Sequence, residues 1–115
     1  MYIGYDDTIC APATVPGTGA ITVIRISGPK ALDVADRVVT CAGGAAAGTI
    51  ASAPGYTIRF GTIFETGGKP LDDVLVSIFR APHSYTGEDS AEISCHASKY
   101  IADRIMQLLI AAGAR

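Results

Sequence analysis

Residues 56–80 constrain the fold most, because they read as two β-strands joined by a tight turn. In YTIRFGTIF, Tyr56, Ile58 and Phe60 alternate with Thr57, Arg59 and Gly61. That is the period of a half-buried strand. ETGGKP carries a Gly-Gly pair suited to a turn, and VLVSIFR returns as the second strand. A hairpin of this length needs further strands or a helix to cover its apolar face.

The flanking segments supply both. DTICAPAT reads as a first strand, stopped by Pro16 and Gly17, and the β-branched AITVIRIS over residues 20–27 reads as a second. Pro29 fits the first position of a following helix, with Leu32, Ala35 and Val39 on one face. Residues 42–55, rich in Gly, Ala and Ser, read as a surface loop. SAEISC is a further strand after the loop APHSYTGED. A last helix carries Ile101, Ile105, Leu108, Leu109 and Ala112 on one face and ends at Gly113. The order β-β-α-β-β-β-α predicts an α+β fold, a mixed β-sheet with two helices packed on one face. At 115 residues, one domain spanning 1–115 is expected.

Composition narrows the function. The content is 49% hydrophobic and 17% charged, as in a globular domain, and the net charge is −2. That balance argues against duplex nucleic acid as a direct ligand of this piece, which would call for a basic patch. The odd, scattered Cys10, Cys41 and Cys95 do not form a disulfide framework, so a reducing compartment is expected. MYIGYDD has neither the basic nor the apolar region of a secretory signal, and IMQLLIAA is too short to span a membrane. A cytoplasmic location without membrane association follows as the expectation.

Several motifs invite chemistry. PGTGA at 16–20 leads into a strand, whereas a phosphate-binding glycine turn opens a helix. With no GxxxxGKS/T anywhere, GTP binding and hydrolysis by this piece are not expected. Cys95-His96 lacks metal-ligand spacing, and adjacent strand residues point to opposite faces. No GxSxG elbow supports a serine nucleophile. Arg25 shares a strand face with Ile21 and Val23, so its guanidinium must pair, snorkel or meet a ligand. A structural ion pair and recognition of an anionic or carbonyl group are both open. Glu92 shares its face with Ser90 and Ser94. By residue chemistry a solvated face outweighs the alternative, a carboxylate accepting two parallel N–H bonds from a flat heterocycle.

At DTICAPATVPGTGAITVIRISGP (7–29) and DDVLVSIFRAPHSYTGEDSAEISCHAS (72–98) the chain resembles the start of the MnmE/TrmE family of tRNA-modification GTPases. That family shows a DTI strand, a PPGxGG turn, an IRxSGP segment, and a VLVxxFxxPxSYTGEDxxEIxCHGG block. IMQLLIAAGAR (105–115) matches its helix end, and the likeness is weak only over residues 1–6 and 41–55. Two departures stand out: Ala97-Ser98 replaces the family's glycine pair, and the RPGEF and FLNGK segments of the family lie beyond Arg115. The second of these carries a lysine associated with the folate site.

The resemblance implies a fold related to the folate-binding domain of aminomethyltransferases. It implies homodimerisation and a 5-formyl-tetrahydrofolate site at or near the dimer interface. Arg25 and Glu92 match folate-associated positions of the family, which favours the ligand-binding reading of both. The parent activity implied is GTP hydrolysis with magnesium and potassium, in a GTPase domain outside these residues. With the flavin-containing partner MnmG (GidA), that activity serves modification of the wobble uridine of certain tRNAs. The helical domain is likewise expected elsewhere, and this piece alone is not expected to be catalytic. Two other readings stay open: a purely structural dimerisation module with an inactive folate site, and a one-carbon transferase of the aminomethyltransferase type. The transferase would need a longer chain and a catalytic aspartate in its own motif.

Overall fold

The structure is a computed structural model and describes residues 7–13, 20–43 and 49–115. The anticipated turn at Pro16-Gly17, the rest of the PGTGA glycine turn before Ala20, residues 1–6, and the centre of the Gly/Ala-rich loop lie outside the described residues. The elements are β1 (Ile9–Pro12), β2 (Ile21–Ser27), α1 (Ala31–Val38), β3 (Val39–Cys41), β4 (Thr57–Phe64), β5 (Pro70–Phe79), β6 (Ser90–His96) and α2 (Lys99–Ala111). The strands form one sheet in the order β1-β2-β6-β5-β4-β3.

The expected hairpin is β4–β5, with Phe60 opposite Leu75 and a register shift at Ile63/Phe64. The α+β class holds, but the sheet is antiparallel throughout its ladders rather than mixed. The crossover through α1 joins β2 to β3, which run in the same direction. β6, β5 and β4 lie between them, so these two never pair.

Both helices pack on one face. Ile24, Ile26, Val74, Val76, Ile78, Ala91 and Ile93 from the sheet meet Leu32, Val34, Ala35, Ile105 and Leu109 from the helices in one buried cluster. Fully burying each large aliphatic side chain contributes about 1.5–3 kcal/mol relative to exposure. α2 starts at Ser98, whose Oγ accepts from the Ile101 N–H at 3.3 Å. It ends where Gly113 takes a φ of 122°, and Arg37 Nη1 donates to the Ala112 carbonyl at 2.9 Å.

Two local expectations are corrected. α1 begins at Ala31 with Lys30 at its N-cap, so Pro29 belongs to the turn that precedes it. Val39 is not on the helix face. It caps the helix in an extended conformation and opens the short strand β3, still buried, against Ile63. In β4 the alternation is as read: Ile58 and Phe60 are 62% and 52% exposed, as is Tyr56 just before the strand at 72%, while Gly61 and Ile63 are buried. Gly61 is what allows β3 to close on β4, since a Cβ there would sit 2.6 Å from Val39 Cγ1 and 2.7 Å from the Thr40 carbonyl oxygen.

Candidate functional site

The face opposite the helices carries the polar residues singled out in the sequence. On β2 it presents Ile21, Val23, Arg25 and Ser27, and on β6 Ser90, Glu92, Ser94 and His96. The intervening residues Ile24, Ile26, Ala91 and Ile93 fill the core. Arg25 and Glu92, 67 residues apart in sequence, are direct cross-strand partners. Arg25 Nε donates to Glu92 Oε2 at 2.9 Å, and Nη2 lies 2.8 Å from the same oxygen in an ion pair. Both side chains are about a quarter to a third exposed, so the pair is only partly desolvated and adds about 0–1 kcal/mol to folding.

The loop between β5 and β6, residues 80–89, folds over one side of this pair. Asp89 closes it, with Oδ1 accepting from the Ala81 N–H at 2.8 Å and the backbone carbonyl accepting from the Gly28 N–H at 3.0 Å. Arg80 anchors its start by donating to the Ala51 and Ala53 carbonyls at 2.7 to 3.0 Å. Thr86 and Ser27 share a hydroxyl hydrogen bond of 2.6 Å. Tyr85, at the tip, lies over the Arg25 guanidinium, 4.7 Å from ring centroid to Cζ. A cleft of about 240 Å³ opens beside them, lined on one side by Ile9 and β1 and on the other by Arg25, Ser27, Thr86 and Glu88. Its lining is mostly apolar with a few polar groups, the usual mix in a small-molecule site. Arg25 borders this cleft, and Glu92 stands behind it, reached through Arg25.

Cys95 and His96 diverge. The Cys95 thiol turns to the core and donates to the Thr22 carbonyl at 3.5 Å, and burial with the nearby Asp72 carboxylate pushes it up to about 11. His96 is held at the surface by Asp72, Nδ1 to Oδ1 at 2.7 Å. Ala97 and Ser98, where the resembled family has glycines, serve the fold here: the Ala97 N–H donates to the Ala20 carbonyl at 3.1 Å and Ser98 caps α2. Residue chemistry had assigned no role to Tyr85, Ser27 or Thr86. Loop residues between two strands carry no periodicity that would reveal which strand they cover.

Comparison with known proteins shows the family of the chain. The family described as "GTP-binding protein TrmE N-terminus" matches residues 8–115. Proteins named "tRNA modification GTPase MnmE" are similar over most of the chain. The one from Bacteroides fragilis is 52% identical over 109 residues, 95% of this chain and 23% of its own length. Those from Parabacteroides distasonis and Moorella thermoacetica are 44% and 45% identical over 94% and 96% of this chain, again 23% of their own lengths. The chain therefore spans about a quarter of the relatives it matches.

Proposed function

The chain belongs to the TrmE N-terminal family, as an N-terminal MnmE domain, and from that premise we propose that it binds a folate and forms homodimers. The ligand is 5-formyl-tetrahydrofolate or a related tetrahydrofolate. In this reading it is one module of a cytoplasmic tRNA-modifying GTPase. GTP, magnesium and potassium act in a separate domain of the parent, and MnmG (GidA) and tRNA engage the parent as a whole.

The observation that carries the folate reading is the juxtaposition of Arg25 and Glu92 beside a cleft with a mostly apolar lining. The residues fit the ligand by chemistry. The head of a folate presents an amino group and a ring N–H side by side, which a carboxylate such as Glu92 can accept together. Arg25 suits the one-carbon group or a carboxylate of the tail. The cleft, at about 240 Å³, is below the roughly 300–1,000 Å³ of complete small-molecule sites. A folate bound here would use surface from a second copy or from chain beyond Arg115.

One observation favours the alternative of a structural dimerisation module: Arg25 and Glu92 satisfy each other without any ligand. Calorimetric titration of 5-formyl-tetrahydrofolate separates the two. It is run on this chain and on one continued through the RPGEF and FLNGK segments of the family. Binding is expected, with Glu92→Ala weakening it about 10- to 100-fold, the worth of a charge-assisted bond of about 1.5–3 kcal/mol. If neither form binds at millimolar ligand, the structural reading stands instead.

A further inference from the structure

The Arg25 guanidinium makes two kinds of contact at once. Nε donates to Glu92 Oε2, with Nη2 2.8 Å from the same oxygen, and Cζ lies over the Tyr85 ring, 4.7 Å from its centroid. A flat N–C–N array is thus seated between a carboxylate and the face of an aromatic ring. The aminopyrimidinone half of a pterin carries the same array, a carbon bonded to an amino group and to a ring N–H. We infer that Arg25 occupies, in the ligand-free chain, the seat of the pterin head, and that Tyr85 is the stacking residue of that seat. This rests on the folate reading above.

The surroundings of Tyr85 support a ligand-facing role. Its side chain is 87% exposed, a large apolar surface left in water. Its loop is nonetheless braced. Ser84 Oγ donates to the Glu88 carbonyl, Thr86 is bonded to Ser27, and Asp89 joins the two ends of the loop through Ala81 and holds them to Gly28. A ring held in place before binding loses little freedom on binding, which is how preorganisation strengthens an interaction. Both Arg25 contacts with the carboxylate fall on one oxygen, Oε2. A head offering two parallel N–H groups would engage both carboxylate oxygens, and so is a better match for the carboxylate than the guanidinium is. The adjoining cleft, lined by Ser27, Thr86 and Glu88, gives the displaced guanidinium somewhere to turn without leaving the site.

Binding is then a handover. The head takes the Glu92 edge and the Tyr85 face from Arg25, and Arg25 becomes free to meet the tail. Arg25 competes with the head yet assists the whole ligand, so a tail-less ligand and a complete one should respond to its removal with opposite signs. The test measures dissociation constants for 5-formyl-tetrahydrofolate and for plain pterin (2-amino-4-oxopteridine), using whichever form of the chain binds the folate. Thermal midpoints of every variant confirm folding. Tyr85→Ala should weaken both ligands about 10-fold, Tyr85→Leu should do the same, and Tyr85→Phe should restore binding, as stacking requires. Arg25→Ala should weaken the folate but tighten pterin by about 3-fold, the strength of a partly exposed ion pair removed as competitor. A chain that binds folate but is indifferent to Tyr85→Ala, or in which Arg25→Ala weakens pterin, overturns the inference while the folate reading survives. Absence of folate binding in every form removes both together.

Discussion

The thiol of Cys95 titrates near 11 because it is buried and because Asp72 lies close enough to repel a thiolate. Its ordinary value is 9.0, so between pH 9 and 11 the unfolded chain loses this proton first and the folded state is disfavoured. Stability is therefore expected to hold below pH 9 and to fall as pH rises towards 11. Cys10 and Cys41 are also raised, chiefly by burial, and contribute in the same direction. Urea unfolding of the wild type and of Cys95→Ala across this range checks the sign: the variant should show the shallower decline. Gly28 gives a second test at this scale. It has a φ of 138°, and a Cβ there would meet the Asp7 carbonyl oxygen at 2.6 Å and Thr8 Cα at 2.7 Å, both backbone. Gly28→Ala should cost roughly 2 kcal/mol or more in the same assay. A cost near zero would mean that β1 does not pack against this turn as described.

Between β6 and α2 the Ser98 cap sets where the helix begins, by holding the Ile101 N–H while its own backbone stays extended. Ser98→Ala should lower stability by about 1 kcal/mol, and Ser98→Asp should retain most of it. Differential scanning calorimetry of the two variants decides between a working cap and an incidental contact. Periodicity made α2 and the β4–β5 hairpin legible, because each carries several large residues in one repeat. It located the alternation of β2 and β6 as well, which is why Arg25 could be grouped with Ile21 and Val23, and Glu92 with Ser90 and Ser94, before any pairing was known. Two things were not legible. Which face of β4 the helices cover was not, because hydrophobicity identifies a face without saying what covers it, and Ile58 and Phe60 point away from both helices. β3 was missed because three residues hold no measurable period; Val39–Cys41 is a strand only because Gly61 lets it approach β4. The pairing of β2 with β6 follows from the whole topology, so the contact between Arg25 and Glu92 could be expected only through the family resemblance.

The whole molecule has one face under two helices and one that neither helix covers. On the uncovered face Phe60 and Leu75 are cross-strand partners, and with Ile58 they make an apolar strip next to the polar residues of β6. Mean hydropathy of +0.33 is high for a domain this small, and an exposed apolar strip rimmed by polar groups marks an interaction surface. Under the proposed function the occupant is a second copy of the chain, placed so that the undersized cleft beside Arg25 gains a further wall. Sedimentation at tens of micromolar should then show a dimer. Phe60→Glu should shift it to monomer by burying a charge at the contact, with little loss of thermal stability because Phe60 is already half exposed in the single chain. Dimerisation and ligand binding would also be linked. Folate should raise the apparent dimer affinity, and Phe60→Glu should weaken folate binding by the same factor, as reciprocity requires. A variant that remains dimeric would place the interface elsewhere. A monomeric variant with unchanged folate affinity would show that the cleft is completed within one chain, and would separate the two halves of the proposed function.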